Sequence, residues 1–396
     1  MIQSHTPAFW RATLALCIGS MMVFSNLYIT QPLLPQLRDA FDIDSLQAAM
    51  SLSVVTLSLG VCLLIFGPLS DAIGRRVVIL TTLLLLCLVT FVTAFASNYT
   101  LLLVLRGIQG VFIAGLPAAA LAYMGEEFEP HALRLAVGLY IGANSLGGVT
   151  GRLLSGLVAA EWGWRSSFLS LAAFDLICLF LVFWMLPVSN RFEPRPLRFW
   201  QVLVDLSVHL RNPMILTACL MSGLNFFVFI NQYSYITFVL AEPPYNLSSD
   251  WLGLFFLTYL SGTLAAGFSG CLVRNRSQSG AMGVGIVILV LGTLLSLVPQ
   301  LIVIVVAFFI NAFGFFFTHS LAAGWVAGHA KTARASATSL YLVFYYAGAT
   351  LGGFYLEPFW RWAGWQGVVV GSLMILGITF GIAMWLGSQE RKLTLA

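Results

Sequence analysis

The sequence contains very few charged residues. Aspartate, glutamate, lysine and arginine make up only 9% of the 396 positions, whereas hydrophobic residues make up 59% and the mean hydropathy is +0.93. A soluble domain carries about 25% charged residues, so this chain could not keep a folded surface wetted in water. Lipid is therefore the expected solvent for most of it, and a net charge of +4 does not indicate a nucleic-acid partner.

Residue patterns that would indicate a metal site, a disulfide framework or an enzyme are also missing. The six cysteines all fall inside apolar runs and none has metal-ligand spacing, so we expect small hydrophobes and no disulfide, zinc or other cofactor. No His-x-x-x-His or Gly-x-Ser-x-Gly pattern occurs. We therefore expect a protein that is not an enzyme, although a membrane-embedded enzyme remains an alternative from another class.

Long apolar runs dominate the chain. A bilayer core of about 30 Å is crossed by about 20 apolar residues in a helix. This predicts an all-α membrane protein of twelve transmembrane helices, near residues 12–34, 46–70, 77–96, 100–124, 135–159, 166–187, 213–240, 251–273, 280–298, 301–328, 336–356 and 366–386.

The distribution of basic residues predicts the orientation, since cytoplasmic loops carry an excess of lysine and arginine. With the N-terminus inside, fourteen basic residues are cytoplasmic, and only Arg38, Arg165 and Arg361 lie outside. Arg106 and Arg152 remain in the membrane. Both termini are therefore predicted to be cytoplasmic, in a multi-pass protein of the bacterial inner membrane.

The two halves of the chain resemble each other weakly. A six-helix half over 1–187 is followed by a cytoplasmic linker over 188–212, whose aromatic and basic residues suit an interfacial helix, and by a second half over 213–396. Gly138-Leu139-Tyr140 matches Ser339-Leu340-Tyr341, and Gly147-Gly148 is paired with Gly352-Gly353, so the offset shifts from 201 to 205 residues. Repeated six-helix units are typical of secondary transporters.

One loop carries a specific motif. Gly67, Asp71, Gly74, Arg75 and Arg76 lie in the run Gly-Pro-Leu-Ser-Asp-Ala-Ile-Gly-Arg-Arg between the second and third helices. Gly67 is expected to allow close helix approach and Gly74 a tight reversal with positive φ. The run resembles the loop signature of the major facilitator superfamily, and this implies a cytoplasmic latch formed by Asp71 and Arg75. The alternative is a basic loop that only obeys the positive-inside rule.

Two further helices carry parts of the same resemblance. Arg106-Gly107-Ile108-Gln109-Gly110 is similar to the fourth-helix signature of that superfamily, which implies a role for Arg106 in proton coupling or substrate binding. A structural arginine bonded to helix carbonyls is the alternative. The fifth helix, with Gly142, Gly147, Gly148 and Gly151, resembles the glycine-rich motif of drug:proton antiporters but lacks its proline, and close packing explains the glycines equally well.

Several short stretches, spread along the whole chain, resemble a narrower group within this superfamily. The runs Leu27-Tyr28…Gln31-Pro32, Gly138-Leu139-Tyr140-Ile141 and Ser339-Leu340-Tyr341-Leu342 resemble the YnfM-type inner-membrane transporters. That group is described mainly as efflux proteins, so the resemblance implies transport without naming a substrate.

Titratable groups at membrane depth are the candidates for proton coupling. Asp175 and Arg152 lie at similar depths on the sixth and fifth helices and could pair, either as a structural ion pair or as a proton relay. His319 lies near mid-membrane in the tenth helix, and its unperturbed pKa of about 6.5 suits a switch near neutral pH. A neutral histidine bonded to a neighbouring helix is the alternative, and Arg106 is a fixed positive charge.

Helical spacing suggests the substrate contacts. Aromatic side chains with a few polar groups suit amphipathic or hydrophobic ligands. The candidates on shared helix faces are Phe24, Tyr28, Gln31, Gln109, Asn144, Asn225, Phe229, Gln232, Tyr233, Tyr341 and Tyr345.

These patterns together predict a secondary transporter. We expect a monomer with a small-molecule substrate, the lipid bilayer as its surroundings and the proton gradient as its energy source, working as an exporter by alternating access. A proton-coupled importer or a uniporter of a metabolite uses the same fold and remains an alternative.

The asymmetry of basic residues makes a direct prediction about topology. Reporters fused after residue 212 and after residue 396 are expected to report the cytoplasm, and one fused near Asp44 the outside. Paired phosphatase and fluorescent-protein fusions measure this. A C-terminal fusion active only outside the cytoplasm would contradict the twelve-helix prediction.

Overall fold

Helices form the regular structure of the chain. The computed structural model describes residues 1–396 except 5, 190, 195, 198, 273–276, 331–333 and 396, and omits the side chains of 199, 268, 270–272, 334, 335 and 393–395. The helices are α1 Pro7–Tyr28, α2 Leu34–Phe41, α3 Ser45–Ile73, α4 Arg75–Thr93, α5 Tyr99–Ile113, α6 Gly115–Glu127, α7 Pro130–Met185, α8 Phe199–Leu210, α9 Pro213–Ala241, α10 Ser249–Phe255, α11 Tyr259–Leu272, α12 Gln278–Leu295, α13 Leu301–His329 and α14 Arg334–Leu395.

The number of membrane passes follows from the lengths of these helices. Within the described residues, nine helical segments are long and apolar enough to cross a bilayer. Two of them are far too long for one pass: α7 has 56 residues, or about 84 Å at 1.5 Å per residue. Its backbone reverses at Gly163 (φ 76°), and α14 reverses at Ala363 and Gly364. Counting these hairpins as two passes each, and the broken segment from α10 to α11 as another, gives the predicted twelve.

Polar side chains cap the first turns of several helices, close to the predicted starts of these helices. Asp44 and Gln47 form a capping box at α3, in which the Asp44 carboxylate accepts from the Gln47 backbone N–H at 2.7 Å. Asn98 caps α5, and Asn212 caps α9 just before Pro213. These side chains satisfy backbone N–H groups that have no partner within the helix.

The chain forms two compact units. Unit 1 comprises Met1–Phe199 with Leu247–Phe256, and unit 2 comprises Trp200–Asn246 with Leu257–Ala396. The division of the chain into two functional halves joined by a linker over 188–212 stays a prediction. The position of α8 at the surface of the bilayer also stays a prediction.

Glycines allow α1 to pack closely against α7 in unit 1. A Cβ at Gly147 would lie 2.7 Å from the Met21 Cα, and one at Gly151 would lie 2.5 Å from the Ser25 Cα. By contrast, no atom of the described residues lies within 4 Å of a Cβ at Gly142 or at Gly67. Close packing therefore explains Gly147 and Gly151. The expectation that Gly67 serves close helix approach is wrong for the described part of the chain, because no helix there approaches the open side of Gly67.

Unit 2 repeats this packing between α9 and α14. A Cβ at Gly348 would meet the Gly223 backbone, and one at Gly352 would meet the Phe227 backbone. The packing therefore relates Gly147 to Gly348 and Gly151 to Gly352, each pair 201 residues apart. The pairing of Gly147-Gly148 with Gly352-Gly353 is wrong, because packing is decided by which glycine faces the neighbouring backbone and not by where two glycines adjoin.

Replacing Gly151 tests the helix contact. Gly151→Ala is expected to force α1 away from α7 and to destabilise the fold by about 1–3 kcal/mol, the usual cost of overpacking. Gly142→Ala, on the same helix with open space around it, is expected to be neutral or slightly stabilising. Thermal unfolding of the purified variants in detergent measures both. Equal melting temperatures for the two variants would contradict this packing role.

Candidate functional site

Arg106 on α5 is wholly buried in unit 1 and binds the backbone of two other helices. Its Nε donates to the Ser51 carbonyl at 3.0 Å, its Nη1 to the Asn26 carbonyl at 2.9 Å and its Nη2 to the Leu27 carbonyl at 3.0 Å. The arginine thus ties α1 and α3 to α5, as the structural alternative for this residue predicts. Its role in coupling or substrate binding stays a prediction.

A chain of side-chain hydrogen bonds leads from Arg106 to Asp175. Arg106 Nη1 donates to Gln109 Oε1 at 2.8 Å, and Gln109 Nε2 donates to the Thr90 hydroxyl at 2.8 Å. That hydroxyl donates to Asn26 Oδ1 at 2.6 Å, and Asn26 Nδ2 lies 2.9 Å from each carboxylate oxygen of Asp175. All five side chains are inaccessible to solvent. The network connects α5, α4, α1 and the second pass of α7.

Arg152 belongs to a different cluster. Its Nε donates to Gln31 Oε1 at 2.7 Å and its Nη1 to the Gly148 carbonyl at 2.9 Å. The guanidinium carbon lies 4.0 Å from the Tyr28 ring centroid and 4.8 Å from that of Phe256. These are close cation–π contacts.

The expected pairing of Arg152 with Asp175 is therefore wrong. Asp175 contacts the amide of Asn26 instead. Equal depth along two antiparallel helices does not place two side chains on facing sides, because direction also depends on the rotation of each helix about its axis.

Unit 2 contains a neutral polar network of similar form. Asn311 Nδ2 donates to Gln232 Oε1 at 2.8 Å and to Thr293 Oγ1 at 3.2 Å. Gln232 Nε2 also reaches Thr293 Oγ1, at 3.2 Å. Each of the three side chains is 1% exposed. They connect α9, α12 and α13 without any ionisable group.

Two other predicted substrate contacts lie in the aromatic interior of unit 2. Phe229 is 0% exposed and stacks on Phe315, with centroids 3.9 Å apart and planes 6° from parallel. The Tyr233 hydroxyl lies 2.7 Å from the Thr258 hydroxyl and donates to the Phe308 carbonyl at 3.1 Å. Their contact with a substrate stays a prediction.

His319 on α13 is partly exposed and surrounded by aromatic rings. Its Nδ1 lies 2.8 Å from the Tyr341 hydroxyl. Its ring centroid lies 4.7 Å from that of Tyr345, 5.6 Å from that of Tyr341 and 5.8 Å from that of Phe315. Among the described residues, the imidazole is held by a hydrogen bond to the Tyr341 side chain and by ring contacts, and no acidic side chain bonds to it.

The remaining substrate candidates differ in how far they are exposed. Phe24 and Tyr28 are partly exposed, with ring centroids 6.5 Å apart. Asn144 is also partly exposed and accepts a hydrogen bond from the Ser20 hydroxyl. Asn225 is 3% exposed, and in the described part of the chain neither atom of its amide has a hydrogen-bond partner.

The loop motif forms an ion-pair cluster. Arg75 contacts Asp71, pairs with Glu126 on α6 at 2.8 Å and donates to the Ser70 hydroxyl at 2.6 Å. Gly74 has φ 108° and so permits the expected reversal between α3 and α4.

Arg76 connects the same loop to the second pass of α7. Its side chain donates to the carbonyls of Leu186 at 3.0 Å and Phe183 at 3.3 Å. The motif therefore ties the α3–α4 loop to α6 and α7 within unit 1. In the corresponding segment of the second half, over 270–276, residues 273–276 and the side chains of 270–272 lie outside what the structure describes.

Comparison with known proteins identifies the family. The model of the Major Facilitator Superfamily matches residues 16–353. The chain belongs to the major facilitator superfamily. It is 35% identical over 97% of its length to the MFS-type transporter YybF of Bacillus subtilis, covering 94% of that protein. It is 32% identical over 96% of its length to the inner membrane transport protein YnfM of Escherichia coli, covering 92% of it.

Solved structures agree on the fold of this superfamily member. A bacterial homologue of the human lysosomal transporter Spinster matches with a TM-score of 0.77 at 15% identity, covering 95% of this chain and 96% of the other. The nucleoside transporter NupG matches with a TM-score of 0.73 at 15% identity, covering 95% and 99%. The predicted fold is confirmed, and the relatives of the chain are transporters of this superfamily, among them an inner membrane transport protein.

Sequence reasoning missed Asn26 and Thr90, which complete the network in unit 1. Both are polar residues in long apolar runs, where each unbonded polar group costs free energy. That cost is a signal that each has a buried partner. It does not identify the partner, because Asn26 and Asp175 are 149 residues apart.

Removing the charge of Asp71 tests the latch of this transporter. Asp71→Asn keeps the side-chain shape, and Arg75 keeps Glu126, so expression and melting temperature should stay near normal. If the pair stabilises one state of the transport cycle, flux is expected to fall about fivefold or more. Glu193→Gln, an exposed acid after α7, is the control. Wild-type flux in Asp71→Asn would make the motif a basic loop only.

Proposed function

We propose that this major facilitator transporter is a proton-driven exporter of small organic molecules. The observation that supports the proposal best is the setting of His319. It is a titratable side chain in a membrane helix, partly exposed and surrounded by three aromatic rings.

This setting suits a residue that gains and loses a proton. The unperturbed pKa of histidine, about 6.5, is within the range that a proton gradient spans. A protonated imidazole is attracted to the faces of aromatic rings and can donate to the Tyr341 hydroxyl from Nδ1. The described α1 carries no acidic residue, so the charge change has to come from elsewhere.

Each unit contains proposed substrate contacts of its own. In unit 1, Phe24, Tyr28 and Asn144 keep exposed surface, and in unit 2, the amide of Asn225 has no hydrogen-bond partner among the described residues. Aromatic faces with a few hydrogen-bonding groups select amphipathic or aromatic organic compounds by shape and stacking. Alternating access would expose these contacts to each side of the membrane in turn.

The rest of the proposal concerns energy source and orientation. The transporter would act as a monomer with both termini in the cytoplasm, driven by the proton gradient without a bound cofactor. Export is proposed over import, and the two differ in a simple measurement. Cells that overproduce an exporter accumulate less of a fluorescent organic dye than cells with the empty vector, whereas an importer raises the amount.

Replacing His319 tests the coupling. His319→Gln keeps a polar side chain that can bond to Tyr341 but cannot titrate. Substrate binding should persist, and flux is expected to become the same with and without an imposed pH gradient. The measurement is dye flux in proteoliposomes, with the dye chosen from those whose accumulation in cells changes on overproduction.

A matched control accompanies this test. His131→Gln replaces an exposed histidine at the start of α7 and should leave the response to the gradient intact. Flux through His319→Gln that follows the gradient as in the wild type would contradict the assignment.

A further inference from the structure

In the network of unit 1, every hydrogen bond is donated in the direction from Arg106 towards Asp175. Arg106 has only donors, and an ionised carboxylate such as Asp175 has only acceptors. Each of the three side chains between them accepts from one neighbour and donates to the next. Gln109 accepts from Arg106 and donates to Thr90. Thr90 donates to Asn26, and Asn26 donates to Asp175. Neutral side chains thus connect a buried cation to a buried acid, and among the described residues no cation bonds to that acid directly.

Thr90 allows the same network to adopt a second arrangement. Its hydroxyl has one proton, and a second acceptor, the Leu86 carbonyl, lies 2.8 Å away. If Asp175 gains a proton, it can donate to the Asn26 oxygen once that amide has turned over. The Asn26 nitrogen then donates to Thr90, and Thr90 donates to Leu86. One proton and one amide rotation therefore convert one hydrogen-bond pattern into another, with loss of the bond that Asn26 Nδ2 donates to the Met22 carbonyl at 2.9 Å.

Unit 2 shows that joining the helices requires no charge. Thr293 donates to the Leu289 carbonyl at 2.9 Å as Thr90 does to Leu86, and it binds the amides of Asn311 and Gln232 as Thr90 binds those of Gln109 and Asn26. An ionisable group in a membrane helix is costly. Neutral side chains are therefore sufficient to join such helices, and the packing of unit 1 does not explain why Asp175 is an acid.

We propose that Asp175 is a proton-binding site of unit 1, whose protonation turns over the Asn26 amide and so breaks the bond of that amide to the Met22 carbonyl of α1. The proposal rests on the proton coupling proposed above and adds a second titrating group to His319. The chemical step is a protonation only. One O–H bond forms on a carboxylate oxygen, and the proton comes from the water on the side of the membrane that α1 then faces.

The surroundings of Asp175 contain few competing groups. The titratable side chains that face it are the thiols of Cys87 on α4 and Cys178 on its own helix. The Arg106 guanidinium is connected to it through the network and also holds the carbonyls of Asn26 and Leu27. The Asn26 amide itself donates to the Met22 carbonyl, so turning it over changes a bond to the backbone of α1.

Infrared difference titration of the purified protein in lipid vesicles tests the site without a substrate. A protonated carboxyl has a C=O stretching band that an ionised one lacks. Subtracting the spectra of Asp175→Asn from those of the wild type is expected to leave one such band that grows as pH falls. Asp39→Asn, which removes an exposed carboxyl, is the control, and its spectra should keep the band that Asp175→Asn removes.

A matched pair of variants tests the network. Thr90→Val and Thr293→Val remove the equivalent hydroxyl from each unit. Losing a bond in the network of Asp175 is expected to move the midpoint of its band by about one pH unit. Thr293→Val should leave that midpoint unchanged. A purely structural role would lower the melting temperature of both variants and move neither midpoint.

The results separate this proposal from the proposed function. Asp175→Asn should fold with normal yield, because an amide can bond to Asn26, and its flux should respond less to a pH gradient. A difference spectrum without a titrating carboxyl band, or a midpoint that Thr90→Val leaves in place, would overturn the site. A titrating Asp175 in a transporter whose wild-type flux ignores the gradient would overturn proton coupling alone.

Discussion

Hydrocarbon offers no hydrogen bonds, so the polar side chains buried in this fold gain most of their partners from other helices. Arg106 bonds three backbone carbonyls and Gln109, and Arg152 bonds Gln31 and the Gly148 carbonyl through two of its nitrogens and lies against two aromatic rings. Each polar side chain thereby joins several helices. The helix pairs of unit 1 are positioned largely by such groups and by glycines that bring backbones together.

The two units solve this problem with the same geometry and different chemistry. Gly147 and Gly151 in unit 1 and Gly348 and Gly352 in unit 2 keep one spacing and one packing role. The threonine-centred networks likewise correspond, but only the one in unit 1 contains an acid and a cation. A repeat with conserved geometry makes that difference visible, and the difference locates the charge that packing does not require.

Much of the architecture could be predicted from hydropathy, because apolar runs of about 20 residues leave few alternatives in a bilayer. The predicted passes near 46–70 and 301–328 correspond to α3 over Ser45–Ile73 and α13 over Leu301–His329. The positive φ of Gly74 was also predictable, since the motif specifies a tight reversal. The site was less predictable, because the choice between Arg152 and Asn26 as the partner of Asp175 depends on helix rotation.

The membrane class, the helical passes and the family could all be predicted from local composition and short motifs. Tertiary structure alone decided which side chains meet: Asn26 with Asp175, Gln31 with Arg152, and His319 with Tyr341. Local patterns specify how long a helix is and how polar. They do not specify its rotation or its neighbours, which result from packing many distant residues at once.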